Sequence, residues 1–342
     1  MSTNAVNVED AEMTECDDEK VVTMMDVLQE QQEFEEDANA VLGASDDKNC
    51  TYSKRHFLNN LSIAFLDPSY HHEHHKLWEH REYMNVNGMM LTSELISISR
   101  NSLTLLQVEN HFTHVQYWGQ LYAVDADYHI AVGIDNDAML DRKYFYTTDF
   151  KFWGLLPRAK RRYKLLSLLT TFPFRGDPTL KIKILDEALE ENHPDRCQVI
   201  KEESRLAGTI SNICDEAEIC ARGQLIKQPD GTVVINPNFY GLTGSEAKQL
   251  KSYLHIRPSQ QRWNSNLLSR QDYNYSMDFL DSIDQDIPSG CWNLSLEQGG
   301  SVAYLKSLYW PGMTYFHKAR TPDCGFLYVG NGRKNLDVPF LL

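Results

Sequence analysis

The first regular pattern of apolar residues lies between residues 91 and 112, where apolar side chains recur at helical spacing. The residues that carry it are Leu95, Ile98, Leu105 and Leu106. This spacing places them on or near one side of a helix, and the threonine and serine at 92–93 are suited to cap its start. The pattern therefore predicts a helix across this stretch.

The spacing then shortens to the two-residue alternation of β-strands. It predicts strands at 114–123 and 127–134, joined across Asp125 as an antiparallel pair. A third strand-like run follows at 142–149. These three runs are expected to form one part of an antiparallel sheet.

The middle of the chain is predicted to hold two helices and a hairpin. The first helix is expected at 198–217. Its apolar side is formed by Val199, Leu206, Ile210 and Ile213. The residues Pro229-Asp230-Gly231 separate two β-branched runs and predict the turn of a hairpin. The second helix is expected within 241–258, because Thr243 and Glu246 have the spacing of a capping box.

The C-terminal part of the chain reads as short strands separated by Gly, Pro and Asp residues. The predicted strands lie at 291–297, 301–309, 313–318 and 325–329. Strands joined by such short turns pair in antiparallel fashion. The predicted fold class is therefore α+β, with an antiparallel sheet-rich body and a few helices.

The N-terminal part has a different composition. Residues 1–48 hold fifteen acidic and two basic side chains, so this segment carries most of the net charge of −15 of the whole chain. We expect a disordered acidic tail at 1–50, because so charged a segment buries too little apolar surface to order itself. Residues 51–86 are expected to be a flexible, histidine-rich segment. The folded body is expected to span 87–342.

Compartment and partner class follow from charge, hydropathy and cysteine usage. No apolar run reaches the roughly 20 residues needed to cross a bilayer, and the acidic start of the chain is unlike a secretory leader. The seven cysteines include no CxxC pair, which favours reduced thiols in the cytoplasm. The body is nearly neutral, whereas binding to nucleic acid requires a basic face. Neither membrane nor nucleic acid is therefore an expected partner.

Two clusters have residue types that can bind metals. Histidines crowd the stretch from His71 to His80, but the metalloprotease pattern HExxH fails because Lys76 stands where its second histidine belongs. A second cluster is acidic and comprises Asp278, Asp281, Asp284 and Asp286. It lacks the glycine and the final glutamate of a calcium loop, so a short amphipathic helix is the simpler interpretation. No catalytic, cofactor-binding or metal-binding residue and no cofactor is assigned.

Residues 158–164, RAKRRYK, form the one basic cluster. A nuclear signal or a nucleic-acid patch is one interpretation of such a cluster. A solvated helix face, or a contact with an acidic protein, is the other. The sequence alone leaves these alternatives open.

The stretch SLYWPGMTYFH (307–317) places four aromatic rings around a Pro-Gly pair. Alternation along 302–309 predicts a strand, and Pro311-Gly312 predicts the reversal after it. The rings around this turn are expected to pack in the core or to meet another subunit, with a substrate pocket as the third alternative.

Six stretches, taken in order along the chain, resemble the radial spoke head protein 9 family. They are YWGQLYAVDADYHIAVGI (117–134), KEESRLAGTI (201–210), ARGQL (221–225), NFYGLTGSEAKQLKSYLHIR (238–257), SMDFLDSIDQDIPSGCWNL (276–294) and SLYWPGMTYFHKARTPDCGFLYVGNGRKNLDVPFLL (307–342). The resemblance covers about residues 87–342. The acidic tail, the histidine-rich run and the basic cluster 158–164 depart from the family pattern.

The resemblance implies a non-enzymatic structural subunit of the radial spoke head, located in the axoneme of cilia or flagella. Radial spokes project from the outer doublets towards the central pair, and their heads transmit signals that regulate dynein-driven bending. The implied partners are the spoke-head proteins 1, 4 and 6, a second copy within paired spoke heads, and central-pair projections. Two other hypotheses stay open, a metal-binding module or enzyme at His71–His80 and a nucleic-acid factor using residues 158–164.

Overall fold

The computed structural model describes residues 93–185, 197–260 and 273–341. The predicted tail 1–50, the segment 51–86 and the histidine run at 71–80 lie outside these described residues. In chain order the first elements are α1 (Ser93–Asn110), β1 (His114–Leu121), β2 (Tyr128–Ile134), β3 (Arg142–Thr147), β4 (Gly154–Leu155), α2 (Arg161–Leu169), β5 (Lys181–Leu185), β6 (Cys197–Lys201) and α3 (Glu202–Ala217). They are followed by β7 (Ile219–Ala221), β8 (Leu225–Lys227), β9 (Val233–Ile235), β10 (Tyr253–His255), β11 (Trp292–Glu297), β12 (Val302–Ser307), β13 (Met313–Lys318), β14 (Cys324–Gly330) and α4 (Val338–Leu341).

Eight strands form one sheet in the order β11-β12-β13-β14-β1-β2-β3-β4. Neighbouring strands pair antiparallel, except that β14 and β1 run parallel, with Gly119 opposite Tyr328. This parallel pair joins the C-terminal meander to the first hairpin of the body. The predicted α+β class with an antiparallel sheet-rich body is confirmed, and the four C-terminal strands lie close to their predicted positions.

The two faces of the sheet are covered by different helices. Every residue of β2 is buried, and its side chains alternate between two clusters. On one face, Ala131 of β2 belongs to a cluster with Leu103 and Leu106 of α1. On the other face, Ile130 and Val132 of β2 belong to the cluster that contains the apolar side of α3. The sheet is thus a central layer, because side chains one residue apart point to opposite faces.

A β-bulge at Trp118 shifts the alternation of β1. Tyr117 pairs with Ala131 and Gly119 pairs with Ile130, so Trp118 has no partner position in β2. The extra residue turns the following side chains to the other face of the sheet. Tyr117 packs on the α1 side, whereas Leu121, which a regular strand would place on that same side, is buried on the α3 side.

The first two predicted helices have different outcomes. The helix at 91–112 is confirmed as α1, but Leu103 and Leu106 are buried while Ile98 stays exposed. The prediction of one helix over 198–217 is partly wrong, because it begins at Glu202.

Residues 197–201 of that stretch instead form β6, which pairs with β5. Ile200 of β6 packs inward beside Ile184, and Val199 faces outward. This alternation of a buried and an exposed β-branched residue is typical of a strand on a half-buried surface.

The helix predicted within 241–258 is wrong. Thr243 and Glu246 do form the reciprocal capping-box bonds, Thr243 N–H to Glu246 Oε2 at 3.0 Å and Glu246 N–H to Thr243 Oγ1 at 3.3 Å. They close only a turn, and residues 250–252 form one turn of 3₁₀ helix. The chain then extends as β10, all three residues of which are buried against β7. Tertiary pairing thus overrides the local helix signal.

The hairpin predicted at Pro229-Asp230-Gly231 is confirmed. β8 and β9 pair on either side of this turn, with Leu225 opposite Ile235. Gly231 has a φ of +94°, a conformation that favours glycine. Among the described helices, none combines the length and apolarity that crossing a membrane would require.

Candidate interaction surface

Trp310, at the centre of the aromatic stretch, is a core residue. Its side chain is 1% exposed, and its indole N–H donates to Glu216 Oε2 of α3 at 2.8 Å. The second carboxylate oxygen of Glu216 accepts from Lys334 Nζ at 2.7 Å. The ring therefore connects the turn after β12 to α3 and the C-terminal segment. This placement confirms the expectation that the stretch packs in the core.

Other side chains of the same stretch have structural hydrogen bonds as well. The Tyr315 hydroxyl donates to Gln224 Oε1 at 2.8 Å and accepts from the Ala221 N–H at 3.0 Å. His317 Nε2 accepts from the Leu242 N–H at 2.9 Å, and burial lowers the pKa of His317 to about 4. A histidine with so low a pKa is neutral at pH 7. These groups fix the strands to neighbouring loops.

The aspartates at 278–286 do not form the predicted amphipathic helix. Asp278 is buried and binds Arg222 through two bonds, Nε to Oδ1 at 2.6 Å and Nη2 to Oδ2 at 2.8 Å. Asp286 accepts from the Trp292 indole N–H at 2.7 Å and lies 2.9 Å from His255 Nε2. Only one 3₁₀ turn forms here, because buried side-chain partners hold the carboxylates in place.

The acidic cluster at 278–286 is not a metal centre. Within residues 93–185, 197–260 and 273–341, no group of three or more His, Cys, Asp or Glu side chains could hold a metal ion. The histidines from His71 to His80 lie outside those residues, so the metal hypothesis for them stays a prediction.

The basic cluster leads into a helix that has an exposed apolar face, and we call this region the α2 surface. This surface comprises Arg158, Lys160, Arg161, Arg162, Leu165, Leu168, Leu169 and Phe172. The four apolar members are exposed by 55%, 43%, 45% and 61% in chain order. Leu165, Leu168 and Leu169 lie at i, i+3 and i+4 on one side of α2, and Phe172 follows the C-terminal end of the helix. We call these four exposed side chains the apolar stripe.

The opposite side of α2 is firmly held by α3. Asn212 Nδ2 donates to the Lys164 carbonyl at 2.9 Å and to Ser167 Oγ at 3.0 Å. Lys164 Nζ in turn contacts Asp215 Oδ2 at 2.6 Å. Leu166 of α2 is buried beside Ile184 and Ile200 of the β5–β6 hairpin. The stripe is thus displayed by a helix that is anchored on its other side.

The segment after α2 is held by two guanidinium groups. Arg205 Nη2 of α3 donates to the Phe172 carbonyl at 2.5 Å, and Arg333 donates to the Thr171 carbonyl. Arg205 is buried with its guanidinium 4.0 Å from the ring centre of Phe174, and burial lowers its pKa to about 10. These contacts fix the backbone at Phe172 while its side chain stays exposed.

The start of α2 is electrostatically unusual. Lys160 occupies the N-cap position, and a lysine cannot accept hydrogen bonds from the first amides of a helix. Arg161 and Arg162 then fill the first turn, in which no acidic residue lies. The N-terminal end of a helix already carries partial positive charge, so these side chains concentrate positive charge at one end of the stripe.

The sequence predicted the charge of this surface but not its apolar half. Both interpretations of residues 158–164 concerned the basic residues, and both stay predictions. The structure shows Arg161 and Arg162 exposed in the first turn of α2. Leu165, Leu168, Leu169 and Phe172 have helical spacing that is readable in the sequence. Which side of so short a helix is buried depends on the position of α3, which the sequence pattern does not give.

These observations define the class of protein as a sheet-based α+β scaffold with an exposed helix surface, in which the aromatic stretch is structural. Comparison with curated proteins assigns the family. The chain is 37% identical over 262 residues to the radial spoke head protein 9 homolog of Danio rerio, covering 75% of this chain and 95% of that relative. It is 36% identical over 276 residues to the Homo sapiens homolog, covering 76% and 100%. The chain belongs to the radial spoke head protein 9 homolog family.

A third relative agrees with this assignment. The Xenopus tropicalis radial spoke head protein 9 homolog is 38% identical over 270 residues, which is 76% of this chain and 96% of that relative. No protein-family model matches the sequence. The match thus accounts for nearly the whole of each relative and leaves about a quarter of this chain outside it.

Proposed function

We propose that this protein is a non-enzymatic structural subunit of the radial spoke head in the axoneme of cilia or flagella. In this role it assembles with spoke-head subunits of the 1, 4 and 6 types and with a second copy in paired spoke heads. The spoke head contacts central-pair projections and passes on signals that regulate dynein-driven motility. The observation that carries the proposal is the identity of 35–38% across nearly the full length of relatives named for the radial spoke head.

The packing of the body is suited to a subunit that must stay rigid under mechanical force. The sheet is covered by α1 on one face and by α3 on the other. Neither helix can slide along the sheet without disrupting a closely packed layer of side chains. Buried polar groups connect distant parts of the chain, as in the bond of Tyr128 to Glu202 at 2.8 Å and the Arg222–Asp278 pair. Such satisfied networks favour a single rigid arrangement.

The first test is whether the protein remains with the axoneme when the membrane is removed. Cells with motile cilia or flagella would carry a tagged copy in place of their own, and the organelles would be extracted with non-ionic detergent. We expect the protein to stay with the axoneme and to be released by chaotropic salt together with other spoke proteins. Recovery in the detergent-soluble fraction would contradict the proposal. The same tag on an unrelated cytosolic protein is the control.

A second measurement addresses assembly and signalling. In cells that lack the protein, electron tomograms of axonemes should show spokes with missing or incomplete heads, and the beat should be altered. Restoring the full chain should restore both features. Complete spoke heads in its absence would show that it is not needed for their assembly.

A further inference from the structure

We propose that the α2 surface is a docking site for an acidic amphipathic helix of another polypeptide. The inference rests on the proposed function in one respect, since an assembly of subunits is what supplies such a helix. It goes further by naming the surface and the chemistry of the partner.

The first argument is the apolar stripe. Leu165, Leu168 and Phe172 each expose about half of the side chain or more on an otherwise well-packed body. Exposed leucines at i, i+3 and i+4 of a helix, here followed by the exposed ring of Phe172, form a surface that a second helix covers by placing its own side chains between them. Contiguous exposed apolar patches of this kind mark interaction sites.

The second argument is charge complementarity. Arg158, Lys160, Arg161 and Arg162 are all exposed at the N-terminal end of the stripe, where the helix dipole adds to their charge. A partner that covers the leucines brings its own side chains next to these cations. Glutamate or aspartate there would gain attraction and speed the encounter, whereas lysine or arginine would be repelled. The partner helix is therefore acidic at this end and apolar along the stripe.

The arrangement distinguishes a protein partner from a membrane or a nucleic acid. A helix that lies in a membrane surface has cations on its polar face, away from the apolar face. On α2, Arg161 lies on the same side as Leu165 and Leu168. The cations therefore stand at the N-terminal end of this side and the leucines stand further along the same side. Proteins that bind single strands present a series of aromatic rings to the bases, whereas the apolar stripe has one exposed ring, Phe172, and three leucines. A helix with an acidic end and an apolar end fits this order.

The third argument is that the surface is pre-formed. The Asn212 bonds to Lys164 and Ser167 fix α2, and the Arg205 bond to the Phe172 carbonyl fixes the residue that ends the stripe. A partner therefore binds without the entropic cost of ordering this side of the interface, which favours affinity.

The test is site-specific photo-crosslinking in the assembled organelle. The full chain would carry a photoreactive phenylalanine analogue in place of Phe172, and the crosslinked peptide would be identified by mass spectrometry. A second chain with the analogue at Leu296, an exposed position on β11, is the matched control. We expect Phe172 to crosslink to a segment of another protein that is rich in Asp and Glu and has apolar residues at helical spacing.

Variants of the surface make the prediction quantitative. Leu165→Gln combined with Leu168→Gln should lower the Phe172 crosslink yield about tenfold, because two half-exposed leucines lose their contribution. Arg161→Glu should lower the yield, and Arg161→Lys should largely preserve it. None of these changes should alter the crosslink from Leu296, since these side chains are exposed and their loss does not disturb the fold.

The outcomes separate this inference from the proposed function. A Phe172 crosslink to lipid, to nucleic acid, to a basic segment or to this chain itself would overturn the inference. Absence of a Phe172 crosslink while Leu296 crosslinks would also overturn it, as would yields that the variants leave unchanged. In each of these cases the protein can still be axonemal. Conversely, an acidic-helix crosslink from a protein that is absent from axonemes would support the inference and contradict the proposed function.

Discussion

Replacing Gly208 with alanine tests whether α2 and α3 are in the close contact that displays the α2 surface. A Cβ atom at this position would lie 2.4 Å from the Tyr163 carbonyl oxygen and 2.6 Å from its carbon. An ordinary contact begins near 3.4 Å, so the helices would have to move apart by about 1 Å. The obstacle is backbone, which cannot rotate away as a flexible side chain can.

Two opposing contributions decide the sign of the effect. Alanine is preferred over glycine in a helix by about 1 kcal/mol, which would stabilise α3. Separating the helices costs about 1–3 kcal/mol in overpacking. It also stretches the Asn212 bonds to Lys164 and Ser167, which contribute about 1 kcal/mol each. We therefore expect a net loss of about 1–3 kcal/mol in the free energy of unfolding.

The measurement is urea denaturation of the full chain followed by tryptophan fluorescence. Hydrogen exchange of the α2 amides should also accelerate in Gly208→Ala if this helix is displaced. Gly244→Ala is the control, because nothing lies within 4 Å of a Cβ at that position, and its stability should stay within about 0.5 kcal/mol of the parent. A stabilised Gly208→Ala protein, as helix propensity alone predicts, would refute the reasoning.

Three further predictions concern the core. Trp310→Ala should lower the free energy of unfolding by about 3–5 kcal/mol, measured by urea denaturation followed by circular dichroism, and an unchanged midpoint would contradict its placement in the core. Asp278→Asn should cost about 3–5 kcal/mol because it removes the carboxylate charge beside the Arg222 guanidinium, whose side chain is 9% exposed, and Asp278→Asn with Arg222→Met should recover part of the loss. His129 and His317 both have a pKa lowered to about 4, chiefly by burial, so the unfolded chain takes up protons first as the pH falls. The stability they contribute is complete above about pH 6.5 and is lost progressively towards pH 4, and replacing both with glutamine should flatten that part of a stability profile.

The sheet could largely be predicted from the sequence, because its strands are runs rich in β-branched and aromatic residues with turn residues between them. Strong turn residues separate the C-terminal strands, whereas the full burial of β2 and the bulge at Trp118 have no such local signal. The parallel contact of β14 with β1 could not be predicted in this way. It joins Gly119 to Tyr328, residues far apart in sequence, and no local pattern encodes such a pairing.

The failed helix predictions have a common physical cause. Within 241–258 the local signal was real, as the capping-box bonds of Thr243 and Glu246 show, and 278–286 has the acidic spacing of an amphipathic helix. Long-range partners then competed successfully for the same residues. β7 pairs with Tyr253–His255, and Arg222 binds the carboxylate of Asp278. Buried pairing outweighs a propensity difference of a few tenths of a kcal/mol per residue.

A comparison of α2 with α3 shows why the α2 surface is the candidate site and not merely an irregular part of the fold. The two helices pack side by side, yet their first turns have opposite charge. α3 begins with Glu202 and Glu203, which suit the positive end of a helix, and Glu202 also accepts hydrogen bonds from buried partners. α2 begins with Arg161 and Arg162, which do not suit it, and continues with leucines that face solvent. A stretch that departs from both the charge rule and the burial rule within one short, well-anchored helix is expected where a partner supplies the missing acidic and apolar groups.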